Sequence, residues 1–317
     1  MSADGRTWRP GWAVDLRATL GCLVRGPADP AHRVGGGRFW RVAVTPDGPA
    51  TLALHRVGSG AQGGSGAQGG SGAQCEVWAQ AWGPGAGWAL AAVPDLLGAA
   101  DDVAGFAPAH PLLRETWRRH AGLRMPRTGL VLDQLVPAIL EQKVTGAEAH
   151  RSWGELCRWY GEPAPGPAPA GMRVPPTPAV LRELADWDWH RAGVTPQRRQ
   201  AIRRACAVAA RLEEAVGLPP AAALDRLRAL PGIGPWTAAE VAQRAFGDAD
   251  AVSVGDYHIP GLVGWALLGR PVDDAGMLAL LAPYAPHRQR VVRLVELAGV
   301  DKPRFGPRLP ARDYRVI

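Results

Sequence analysis

The chain has 317 residues, 47% of them hydrophobic, which is enough to build two or three compact units with cores of their own. No apolar run reaches the about 18 residues of a membrane helix, and the first ten residues are polar, so a cytoplasmic protein is expected. A net charge of +7 suits a polyanionic partner. Nearly all of that charge is arginine, because Lys143 and Lys302 are the only lysines. Cys22, Cys75, Cys157 and Cys206 are scattered, without the spacing of a zinc or iron–sulfur site, and a reducing compartment would keep them as thiols.

Residues 1–105 read as a small β-rich domain. The runs at 38–45, 51–55 and 75–82 are short, β-prone and partly alternating. Between the second and third lies a Gly-Ser-Gly-Ala-Gln-Gly repeat over 58–74, with no large apolar group to bury, expected to form a disordered hairpin tip. From about Asp95 the texture turns helical, with apolar spacing over 112–120, 130–145, 147–160, 179–185, 197–216, 221–230, 235–245, 261–268 and 277–298. Residues 162–178 read as a Pro-rich linker, 106–302 as one helical region, and 303–317 as a loose basic tail.

Several residues carry only structural expectations. Trp153, Trp159 and Trp265 read as core. Arg198, Arg199, Arg203 and Arg204 read as a solvated helix face, with phosphate contact as the alternative. Asp101-Asp102 and Asp273-Asp274 lack metal-ligand spacing and read as helix starts. His258 has no assigned role.

The most informative stretch is Leu230-Pro231-Gly232-Ile233-Gly234-Pro235-Trp236-Thr237, followed by Val254-Gly255-Asp256-Tyr257. Gly232 and Gly234 can adopt positive φ and leave room for a close ligand backbone. A helix starting near Pro235 would present unpaired N–H groups and its positive dipole end to a phosphate. This run, with Asp256 at its spacing from the glycines, resembles the hairpin-and-aspartate signature of the helix–hairpin–helix (HhH-GPD) DNA glycosylase superfamily, and within it the 3-methyladenine DNA glycosylase II branch. Leu135 to Thr145 also resembles that family's Ile-Leu-x-Gln-x-Val-Ser/Thr helix.

The resemblance covers most of 106–300. It implies an α+β chain: a small β-rich N-terminal domain, then a two-lobed, all-helical region with a cleft at the helix–hairpin–helix. It implies Asp256 as catalytic carboxylate and Gly232, Ile233 and Gly234 as the phosphate-binding hairpin. Trp236, Tyr257 and His287 would be the base pocket. Here His287 replaces a tryptophan of the close relatives. Lys143 falls at the position that plugs the gap left by an extruded base, where close relatives carry an apolar residue; a solvated surface lysine is the other reading. Trp236 has a parallel alternative, packing the two hairpin helices together.

Bifunctional relatives place a Schiff-base lysine where this chain has Trp236, so simple hydrolysis of alkylated purines is implied. No cofactor or side-chain metal is required, although backbone carbonyls of Arg228, Leu230 and Gly232 could hold Na+ or K+ as in relatives. The implied partner is double-stranded damaged DNA, bound by a nucleoid-associated monomer. Two rivals stand beside this reading: a glycosylase for hypoxanthine or a bulky adduct, and a non-catalytic module that senses lesions or bends.

Overall fold

A period-two arrangement of side chains explains the N-terminal sheet, whose two faces are both covered. The computed structural model describes residues 4–57 and 75–300; the repeat at 58–74 and the tail at 303–317 lie outside the described residues. Five antiparallel strands run in the order β1-β5-β4-β3-β2: β1 Asp4–Trp8, β2 His32–Gly35, β3 Arg38–Thr45, β4 Gly48–Val57 and β5 Glu76–Trp82. Register pairs Phe39 with Leu54 and Trp40 with Ala53. Phe39, Leu52, Leu54, Val77 and Ala79 face one way. They pack on α1 (Leu16–Leu20), α2 (Ala86–Ala91) and α3 (Val93–Leu96).

Trp40, Val42, Ala53 and Trp82 face the other way and are covered by Met172 and Val174. The Pro-rich stretch is therefore more than a linker. It lies over a stacked Trp40–Trp82 pair (centroids 5.8 Å apart) and forms a small bridge, Pro163 to Arg173. Burying two indoles requires a lid, and a stretch without regular hydrogen bonding can follow their contour. The short helices α1 to α3, together with β1 and β2, went unanticipated in the sequence reading.

The helical region divides into two cores. The first is built by α5 (Val131–Leu140), α6 (Gly146–Tyr160), α7 (Pro178–Glu183), α8 (Asp186–Arg191), α9 (Pro196–Ala207), α10 (Ala209–Glu213), α11 (Pro220–Arg228) and α12 (Pro235–Val241), after α4 (Pro111–Arg119). Its centre is Leu135, Ile139, Leu156, Trp189, Ile202 and Val241, all fully buried. The second joins α4 to α13 (Ile259–Leu268), α14 (Asp274–Leu281) and α15 (Arg288–Leu297) through Leu113, Val263, Met277, Leu281 and Val291. Trp153 is buried in the first core, whereas Trp159 is half-buried beneath Arg191 and Trp265 is half-buried on α13.

Three expected helices are shorter or broken, each for a local reason. The stretch 197–216 breaks at Val208, which leaves helical geometry (φ −118°, ψ 26°) between α9 and α10. Pro283 and Pro286 separate α14 from α15, since neither can donate a helical N–H. The helix expected over 130–145 stops at Leu140, and Lys143 follows in the left-handed region (φ 55°). Beyond it Thr145 and Glu148 form a reciprocal capping box that starts α6.

Of the arginine run only Arg204 is solvated, bonding to Gln200 on the exposed side of α9. Arg198 is buried and donates to the carbonyls of Leu140 (2.7 Å) and Gly193 (2.9 Å). Arg199 and Arg203 pair with Asp186. Asp101 is not a helix start either: it forms a bidentate pair with fully buried Arg290 (2.9 and 2.5 Å). Asp273 does cap a helix, accepting from Gly276 N at 2.8 Å. The four cysteines are free thiols.

Candidate active site

The hairpin at 229–234 joins α11 to α12 within the first core, and Asp256 precedes the first turn of α13 in the second. The site therefore forms where the lobes meet. Gly232 has φ 100°, a conformation that side chains rarely adopt, and a Cβ there would lie 3.0 Å from Ala201 of α9. Ile233 plugs the hairpin into the first core at 6% exposure and closes its turn by donating to Leu230 O (3.0 Å). Gly234 is extended at the start of α12, with Pro235 at the first helical position. After α12 the chain continues as one π turn, Ala242–Phe246.

Asp256 follows Gly255, itself at φ 88°. Its Oδ1 accepts from His258 N (2.7 Å) and Ile259 N (2.9 Å), satisfying unpaired donors at the start of α13. Its Oδ2 accepts from Trp236 Nε1 at 3.0 Å. That bond ties the carboxylate itself to α12. Trp236 and Asp256 are both half-buried, so the carboxylate is oriented by neutral donors and still reaches the surface.

Beneath the loop lies a buried polar network. Ser253 Oγ donates to Glu240 Oε1 (2.5 Å), and Gln243 Nε2 donates to Ser253 Oγ and to Ala251 O (2.8 Å each). Arg244 donates to Glu240 Oε2 (2.8 Å) and to Cys22 O (2.9 Å). Ser253 O in turn accepts from Asp256 N (3.3 Å), so α12 and its π turn set the height of the catalytic candidate.

The remaining predicted residues divide. Lys143 is exposed and next to Gln142, whose Nε2 donates to Gly232 O (3.0 Å) and Thr237 Oγ1 (2.8 Å). This latch places the lysine beside the hairpin. Tyr257 adjoins Asp256 but is 85% exposed, its ring edge-on to His258 (4.9 Å). His287 meets Phe106 edge-on (5.1 Å), and its Nδ1 accepts from Arg290 Nε (3.4 Å). Burial first, then the Arg290 charge, holds its imidazole below the usual histidine pKa. A neutral ring accepting at Nδ1 carries its proton on Nε2. Arg288 anchors this turn through paired bonds to Asp250 (2.8 and 2.6 Å).

Of the three carbonyls considered for a monovalent cation, that of Leu230 accepts from Ile233 and that of Gly232 from Gln142. No cluster of His, Cys, Asp or Glu among the described residues could hold a metal. No helix among them is long and apolar enough to cross a membrane. Sequence reading missed the latch at Gln142 and the network at Glu240, Gln243 and Ser253. The glutamine's place in the Ile-Leu-x-Gln pattern was the one available signal.

No family model matches the chain. Over 184 residues it is 33% identical to a Mycobacterium tuberculosis protein, the probable bifunctional transcriptional activator/DNA repair enzyme AlkA, in each of two strains. The matched stretch covers 57% of this chain and 36% of the relative, so the chain spans little more than a third of that protein's length. Among solved structures it is similar to the 3-methyladenine DNA glycosylase from Archaeoglobus fulgidus, at TM-score 0.69 and 14% identity over 93% of this chain and 98% of that one. It is also similar to MBOgg1 in complex with a low-affinity DNA ligand, at TM-score 0.67 and 16% identity over 94% and 98%. A third likeness is to the Clostridium acetobutylicum 8-oxoguanine glycosylase/lyase, at TM-score 0.65 and 12% identity over 90% and 93%. At these identities the three structures speak to fold.

Proposed function

We propose that this chain is a member of the helix–hairpin–helix DNA glycosylase superfamily and a monofunctional DNA glycosylase hydrolysing alkylated purines from damaged duplex DNA, a reading supported by its 33% identity over 184 residues to the AlkA relative. The observation that carries this reading is the Asp256 carboxylate, held beside the hairpin by two backbone N–H groups and the Trp236 indole. A phosphate-binding module has no use for an oriented negative charge there.

A base inside a duplex is out of reach, so the nucleotide must rotate out. The hairpin of Gly232, Ile233 and Gly234 holds the flanking phosphates through the amides of Gly232 and Gly234 while the Ile233 amide closes the turn, and Lys143 fills the vacated stack with its stem while its ammonium faces the phosphates. The C1′–N bond breaks with its electron pair leaving on the base. An alkylated purine is already cationic and departs neutral. Positive charge builds on the sugar, where Asp256 stabilises it. Water adds to C1′ and loses its proton, leaving an abasic site. Trp236 occupies the Schiff-base position and cannot form an imine, so the strand stays intact. Trp236, Tyr257 and His287 form the base pocket in this reading, with Tyr257 closing over an extruded base once DNA is bound.

In the same reading residues 1–105 brace the helical region at 106–302, the basic tail at 303–317 follows, and the protein works as a monomer near the nucleoid without a required cofactor. The test is incubation with methylated DNA, mass spectrometry of the released bases, and borohydride trapping. Release of 3-methyladenine or 7-methylguanine with no trapped adduct is expected. A trapped adduct contradicts hydrolysis without lyase action. Release of hypoxanthine alone from a mixed panel shifts the substrate class.

A further inference from the structure

We propose that a second site, separate from Asp256, binds an apolar organic cation in the cavity between the β3–β4 turn and α10. The cavity encloses about 700 Å³ and is lined by none of the hairpin, Asp256, Tyr257 or His287. That volume lies in the range of small-molecule sites, and two sheet-side elements, the β3–β4 turn and α2, close it against the first helical core. Leu132, Val136 and Leu181 supply apolar wall, and the indoles of Trp88 and Trp153 supply aromatic surface.

Charge decides what such a cavity accepts. Its lining carries the carboxylates of Asp95, Asp133 and Glu213 against the one guanidinium of Arg127. Asp133 is matched from outside by Arg41 of β3 at 2.8 Å. Arg127 turns toward the backbone and donates to Val216 O at 3.0 Å. Glu213 has no cationic partner among the described residues; its oxygens accept from Val131 N (2.7 Å) and Leu132 N (2.8 Å) at the start of α5.

Burial pushes the Glu213 carboxyl above its ordinary pKa, and the nearby Asp133 charge adds to the rise against the lowering by its two N–H donors. A desolvated carboxylate with no counter-ion, set among aliphatic walls and aromatic rings, favours a ligand that brings positive charge and apolar surface together. An ammonium at the Glu213 end gains charge pairing, and its substituents gain the indole faces. Anions and sugar-phosphates are disfavoured on both counts, which separates this site from the DNA-binding one.

The test is calorimetric titration of the full chain with phenyltrimethylammonium and with its neutral isostere, tert-butylbenzene. The cation is expected to bind at least about tenfold more tightly. Glu213→Gln should remove that preference. Ala210→Arg, at the cavity rim one helical turn before Glu213, should do the same while leaving the Glu213 cap of α5 in place, so a failure of the first variant to fold does not spoil the experiment. Base release from methylated DNA should stay at the wild-type level in Ala210→Arg. Absence of cation binding, equal binding of the two isosteres, or an undiminished preference in Ala210→Arg would overturn the proposal.

Discussion

Two aspartates show how differently this molecule uses a negative charge. Asp101 is nearly fully buried, paired through both oxygens with a guanidinium of no exposure and accepting from Met125 N as well (2.8 Å). Asp256 is half-buried and held by neutral donors, two amides and an indole. The first charge is cancelled by another charge and fastens residues 101–125 to α15. The second is oriented without being cancelled, at the surface where the lobes meet. Stability should therefore concentrate around Asp101, and chemistry around Asp256.

The largest expected effect tests the first half of that contrast. Arg290→Met leaves Asp101 buried without its partner and should lower unfolding free energy by about 3–5 kcal/mol in urea titrations. A loss below about 1 kcal/mol would show that the pair does not fasten residues 101–125 to α15.

Next comes Asp29, the buried carboxylate that accepts from Arg25 N, Ala31 N, His32 and Trp153. Burial opposes its ionisation, but His32 and the backbone donors prevail and bring its pKa from 3.8 to about 2. A depressed folded-state value means stability present above the unfolded pKa and lost as pH falls from about 4 toward 2. The contribution is about 2 kcal/mol. Asp29→Asn should flatten that part of the acid-unfolding profile; an unchanged profile would contradict the assignment.

Smaller still is the latch. Gln142→Ala removes the bonds to Gly232 O and Thr237 Oγ1 and should destabilise the protein by about 1 kcal/mol. If the latch positions the hairpin, DNA affinity should fall with it. Unchanged affinity would confine Gln142 to packing.

Least in stability, and opposite in sign, is Lys143→Gly. It relieves the left-handed residue and should raise stability by about 0.5–1 kcal/mol. Base excision should nonetheless drop if Lys143 fills the duplex. Equal excision would favour the solvated-lysine reading.

Legibility followed the same division. Gly232, the start of α12 and the turn before Asp256 could be read because their requirements are local: positive φ, a helix start, a carboxylate after a tight turn; Gly234, expected to share the positive φ, is extended instead. The Trp236–Asp256 bond was not legible, since either residue alone reads as an ordinary packing or capping group. Arg198 was misread because sequence shows its charge but not the Leu140 and Gly193 carbonyls that it serves. The Pro-rich stretch looked like a linker because only Met172 and Val174 reveal what it covers. The cavity at Glu213 arises from segments far apart in the chain, and no local pattern announces it.

The most direct measurement compares wild type with Asp256→Asn on methylated duplex DNA, recording base release, DNA affinity and urea stability on the same preparations. Asparagine still accepts the His258 and Ile259 amides, but its NH2 cannot accept from Trp236 Nε1, so stability should fall by about 1 kcal/mol. Base release should fall by on the order of 10²–10³ or more, with affinity equal or higher because a negative charge near phosphates is gone. Retained base release, or loss of DNA binding with unchanged chemistry, would contradict the assignment of Asp256 as the catalytic carboxylate.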